Sequence, residues 1–168
     1  MAKKDYPLQQ ILEIKRKRVE DAEQVVRLKQ HALDAEKEKL EKQQAARDKV
    51  KQHRMDKLTQ LRAELDHGTT SPKIQQMKAY LKVVEEKLKV EEKKVNDQQV
   101  KVDAAAKELE DAKHHLFLKR QEVEKIQTHR GDWEKEMRKE DEIIDGREQD
   151  EMGTIIHGAR RRESRRNA

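Results

Sequence analysis

Seven histidines, 35 carboxylates and a run of arginines are the side chains of this chain with chemistry to offer. A metal held by a helix needs two ligands on one face, which histidines at i and i+4 supply. His31, His53, His67, His114, His115, His129 and His157 contain no such pair. His114 and His115 are adjacent, so they diverge by about 100° around a helix axis. They read as solvated surface residues. Nucleophilic catalysis lacks its parts as well: the serines are Ser71 and Ser164, and there is no cysteine to activate as a thiolate. Phosphate cradles use clustered glycines, whereas Gly68, Gly131, Gly146, Gly153 and Gly158 are scattered. The carboxylates alternate with Lys and Arg, which is the pattern of a wet helix face laced with i,i+4 pairs. The expectation is a protein that is not an enzyme and uses no cofactor or metal.

The arginines need a separate reading. Arg160, Arg161, Arg162, Arg165 and Arg166, against Glu163, carry most of the formal net charge of +5. The remainder is close to neutral, so the basic balance describes a tail and not a basic body. Such a tail could hold nucleic acid or an anionic lipid surface electrostatically, dock on an acidic protein, or stay solvated. Aromatics are confined to Tyr6, Tyr80, Phe117 and Trp133, which provides no stacking platform for bases. No specific nucleic-acid binding is expected. Residues 132–151 oppose the tail, with ten acidic residues against four basic ones. The cluster Lys15, Arg16, Lys17 and Arg18 adds a second basic block near the start.

The elements that place these charges are legible from apolar spacing. Leu81, Leu88, Val95, Val102, Leu109, Leu116, Val123, Met137 and Ile144 recur every seven residues, interrupted only by Arg130. A companion row holds Met77, Val84, Ala105, Ala112, Ile126 and Trp133. Seven residues make two turns of a slightly underwound helix, so both rows fall on one stripe of a left-handed coiled coil. With 45% charged and 2% aromatic residues, the composition suits a wet helix with one buried seam. No window is apolar enough to span a membrane, and Lys3, Lys4 and Asp5 stand where a secretory signal would be apolar.

A first helix has a looser stripe: Leu8, Leu12, Val19, Ala22, Val26, Leu33, Leu40, Val50, Leu58, Leu61 and Leu65. Between the two stripes, Gly68 suits a left-handed C-terminal cap, Ser71 an N-cap and Pro72 the first helical position. The fold expected is all-α, a long two-helix antiparallel coiled-coil hairpin over residues 1–145, with helices about 7–66 and 72–145 and a turn at 67–71. Residues 146–168 are expected as a basic tail or an extension of the helix, weakened at Gly146, Gly153 and Gly158. With the turn centred near Thr69, residue i faces roughly residue 138 − i, and Arg47 meets Glu91, either as a register pair in a polar layer or with both side chains snorkelling to water. The paired part would be roughly 90 Å long. The second helix would overhang, so that Trp133, Met137, Ile143 and Ile144 await another surface or are covered by residues 1–7 folding back.

The opening Met1-Ala-Lys-Lys-Asp-Tyr-Pro-Leu-Gln-Gln-Ile-Leu12, followed by Ile14-Lys-Arg-Lys-Arg-Val-Glu-Asp-Ala-Glu23 and heptads, resembles the stalk proteins of bacterial type III secretion systems, the YscO/FliJ-like family. The resemblance spans nearly the whole chain and rests on overall pattern. It implies a non-enzymatic central stalk, a monomeric hairpin in the bacterial cytoplasm at the base of the apparatus. It implies as partners the hexameric secretion ATPase, an export gate protein and export chaperones, with no membrane insertion. Carried onto this sequence, the end with both termini would meet the ATPase through Leu8, Ile11, Leu12, Arg130, Trp133, Met137 and Ile144. The turn end, with Met55, Leu58, Tyr80 and Val83, would face the gate. Two other functions fit the residues alone: a coiled-coil adaptor or scaffold binding clients along its flank, and a nucleic-acid or membrane-surface binder acting through the Arg tail.

Overall fold

The computed structural model describes residues 5–166. Two helices account for almost all of them: α1, Gln9–Asp66, and α2, Ser71–Arg166. They pack against each other as an all-α helical hairpin. Residues 1–4 of the expected hairpin and 167–168 of the expected tail lie outside the described residues.

The turn is built from backbone bonds. Thr69 N–H donates to the Glu64 carbonyl at 3.3 Å and Gly68 N–H to the Leu65 carbonyl at 3.2 Å. Together these close a Schellman motif, which needs a left-handed residue at its centre. Gly68 supplies it with φ 75°. The Thr70 carbonyl then accepts from Ile74 N–H at 3.2 Å, so Thr70 is the cap of α2. Ser71 is already inside the helix and Pro72 occupies its second position, one residue later than the sequence suggested. Proline is tolerated there because the first turn has spare N–H groups. Lys73 and Glu64 join the two helices beside the turn at 2.8 Å.

By its contacts the chain divides into two units. One runs from Glu20 to Phe117 and contains the turn. Its seam buries Ala22, Leu33 and Leu61 of α1 against Leu81, Val84, Val95, Val102, Leu109 and Leu116 of α2. Leu33, Val102 and Leu109 form its central cluster, flanked by Val26, Leu40, Ala105 and Ala106. Small residues face large ones, as close approach of two helices requires. Lys29–Glu108 at 2.6 Å and Arg54–Glu85 at 2.9 Å bridge the helices at the seam margin.

The other unit combines the residues up to Val19 with those from Leu118 onward. Tyr6 and Leu12 are its buried apolar residues. Lys15 bridges to Glu122, which Lys119 also holds at 3.1 Å. In this unit α2 continues without interruption through Gly131, Gly146, Gly153 and Gly158 to Arg166. Each glycine costs about 1 kcal/mol relative to alanine, but good helix formers such as Arg147, Glu148, Gln149, Glu151 and Met152 surround them. No helix among the described residues is long and apolar enough to cross a membrane.

Candidate functional site

The buried polar contact across the seam lies elsewhere than expected. Arg47 is bound by its neighbour Asp48 at 2.7 Å, and Glu91 by Lys94 at 2.8 Å. The two do not form the expected pair. Each finds a partner on its own helix, and a local pair orders fewer rotatable bonds than a cross-helix one. A buried polar contact between the helices is made by Gln98 instead. It is 3% exposed, and its side-chain amide donates both to the Glu36 carbonyl, at 3.1 Å, and to the Glu36 carboxylate. Lys39 and then Gln98 hold that carboxyl below the usual carboxylate range. The buried Gln43 side-chain oxygen has no partner among the described residues, which leaves this stretch of seam imperfectly matched.

In the unit holding the chain's beginning and end, the expected surface residues separate into three groups. Leu12 is wholly buried and belongs to the seam, so it is unavailable to a partner. Trp133 is not left bare: the Tyr6 ring packs on it with centroids 5.5 Å apart. Tyr6 also packs on His129, and its hydroxyl shares a 2.7 Å hydrogen bond with His129 Nδ1. Arg130 is tied to Gln9 Oε1 at 3.2 Å and to Glu134 at 2.9 Å, with Leu8 and Met137 half-buried. Ile11 and Ile144 remain exposed, at 44% and 39%. Tyr6 lies off both heptad rows and before the helix begins, and it belongs to the opening residues that could fold back over the overhang.

Glu122 gives this unit a pH response. The hydrogen bond from Lys15, then that from Lys119, lowers its carboxyl from the usual 4.5 to about 2. A carboxyl depressed in the folded state stabilises above its unfolded pKa, and the contribution disappears as pH falls through the folded value. The melting-temperature advantage of the wild type over Glu122→Gln is therefore expected to be full above about pH 5 and to vanish toward pH 2. Thermal melts of both proteins across that range check it.

In the unit holding the turn, Met55, Tyr80 and Val83 are exposed and Leu58 is half-buried. The Tyr80 hydroxyl lies 3.0 Å from His53 Nε2, and Lys57 sits 5.9 Å above its ring. Tyr80 and Met77 line a groove with Lys57, Ala63, Glu64 and His67. A second groove, between Val50, Val83 and Val90, adds Val90, an exposed apolar residue that the seam rows omit. The arginines Arg160, Arg161, Arg162, Arg165 and Arg166 are exposed along α2. They form no ion pair among the described residues. Among those residues, no group of three His, Asp or Glu is placed to hold a metal ion.

The surface is thus one of apolar patches, grooves and charge. The family described as YscO-like protein matches residues 3–163. The chain is similar to CT670 from Chlamydia trachomatis, a protein described as a homolog of YscO. They share 48% identity over 95% of this chain and 99% of that one, with a TM-score of 0.88. A chain from the Chlamydia pneumoniae CdsV and CdsO protein complex aligns at 53% identity with 49% of this chain and 96% of its own length, at a TM-score of 0.48. No curated protein matches.

Proposed function

Because the chain belongs to the YscO-like family, we propose that it is a non-enzymatic stalk of a bacterial type III secretion apparatus, working in the cytoplasm at its base. The observation that carries this reading is the family match from residue 3 to residue 163, which takes in both helices and both units. In this reading the unit containing Ile11 and Ile144 engages the hexameric secretion ATPase. These two side chains are exposed and apolar, the kind of residue that anchors an interface when a partner covers it. The unit containing the turn faces the export gate through Met55, Tyr80 and Val83. Its groove at Val50, Val83 and Val90 fits the apolar face of a helix from an export chaperone.

The test is hydrolysis by the assembled cognate ATPase, with and without the full chain. The wild type is expected to raise the rate. Ile11→Asp is expected to demand about tenfold more protein for the same effect, the size of a modest interface anchor. Ile11 is exposed, so the variant keeps its helical circular dichroism. A wild-type chain that neither binds the ATPase nor changes its rate would remove the stalk reading.

A further inference from the structure

α2 extends well past Trp133, where Tyr6 covers it. Further along, Ile144, Met152 and Ile155 are exposed, at 39%, 65% and 66%. Their spacings of eight and three place them on one side of the helix, and nothing among the described residues packs on that side. A single helical stretch interrupted by Gly146, Gly153 and Gly158 is marginal on propensity alone, so a covering partner would stabilise it.

Charge specifies the partner. Residues 140–151 hold seven acidic side chains and one basic one, Arg147. Residues 152–166 hold five arginines and one acidic residue, Glu163. A uniformly basic helix would satisfy the first half and be repelled by the second, and a uniformly acidic helix would do the reverse. The complementary surface is apolar along the same stripe, with its charges in the opposite order. An antiparallel copy of this chain has that arrangement, because a two-fold axis reverses the order of a segment against itself. Antiparallel packing also opposes the two helix dipoles.

We propose that a second copy of this chain covers the stripe, the two α2 ends lying antiparallel about a two-fold axis near Glu151. The basic segment around Arg162 of each copy then runs along the acidic segment around Asp141 of the other, and the apolar stripes meet between them. The free chain is thereby a dimer, where the sequence suggested a monomeric hairpin. The pairing concerns the free protein and does not depend on the secretion reading; Ile144 lies in both surfaces, so ATPase engagement through it displaces the second copy there.

Sedimentation equilibrium of the full chain without ATPase tests it. A dimer is expected at micromolar concentration in low salt, weakening steeply as salt rises. The triple variant Arg160→Glu, Arg161→Glu, Arg162→Glu is expected to raise the dimer dissociation constant by about tenfold or more, as is the opposite reversal Asp141→Arg, Glu142→Arg, Asp145→Arg. Mixed in equal amounts, the two variants are expected to form a heterodimer, since one is net acidic over residues 140–166 and the other net basic. All six altered positions are exposed, so helical circular dichroism should be unchanged. A wild-type chain that stays monomeric at about 100 µM in low salt overturns the proposal. So does a dimer indifferent to Ile155→Asp, or a stripe protected from hydrogen exchange only when ATPase is added.

Discussion

Leu109→Ala is expected to cost about 3 kcal/mol, within the usual span of about 2–5 kcal/mol for emptying a leucine site. Leu109 is 4% exposed and clusters with Leu33 and Val102 in the unit from Glu20 to Phe117. The void would be flanked by Ala105 and Ala106, whose methyl groups are too short to fill it. A two-helix seam has one layer of side chains and no further shell to collapse inward. The loss is therefore expected near the middle of the range or above, and not at its lower edge. Urea unfolding followed by helical circular dichroism measures it. Leu109→Met, which conserves volume, should cost less than about 1.5 kcal/mol. Equal losses for the two variants would show that the cluster does not hold this unit together.

The second large effect is expected at Tyr6. Its ring covers Trp133 and His129, and its hydroxyl bonds to His129 Nδ1 at 2.7 Å. Tyr6→Ala removes the ring and the hydrogen bond together, at a local cost of about 3 kcal/mol. The consequence is local because the residue sits at the entry to α1, where little else fixes the chain. Trp133 is the sole tryptophan, so its fluorescence reports this contact without interference. Its emission is expected to shift to the red, and amides of the first turns of α1 to exchange about a hundredfold faster. Tyr6→Phe keeps the ring and should lose only about 1 kcal/mol. An unchanged Trp133 emission in Tyr6→Ala would mean that the ring shields nothing.

Both helices could be read from apolar spacing because a coiled-coil seam repeats its demand every seven residues. Leu81, Val95, Val102, Leu109 and Leu116 announce themselves through that repetition, and each is buried. The register was legible too: Glu64–Lys73, Lys29–Glu108 and Lys15–Glu122 each pair within one residue of the expected facing positions. What failed were choices between near-equal local partners. Arg47 had Asp48 beside it and Glu91 across the seam, and spacing alone does not rank the two. Gln98 occupied a heptad position without looking like a feature, since its importance comes from the Glu36 carbonyl it reaches. Thr70 and Ser71 are both good caps, and the backbone chose the first.

The candidate surfaces were less legible than the fold. Leu12 and Ile11 are adjacent apolar residues, yet one is wholly buried and the other 44% exposed. A stripe tells which side of a helix is apolar, but exposure depends on what lies opposite. Tyr6 changed that answer for Trp133 from a position outside either helix. The second half of the overhang behaved differently again. The glycines at 146, 153 and 158 suggested weakness, while their helix-forming neighbours keep α2 intact to Arg166.

The turn around Gly68 has a consequence for how strong the seam must be. Only residues 67–70 separate the end of α1 from the start of α2, and the backbone bonds of Gly68 and Thr69 hold them in one shape. In the unit from Glu20 to Phe117 each helix therefore meets the other at a fixed effective concentration, of millimolar order or higher for so short a connection. A seam that would fall apart as two separate peptides at cellular dilution is thereby kept closed. Its buried side chains can be few, and one of them can be a glutamine, because association is already supplied by the tether.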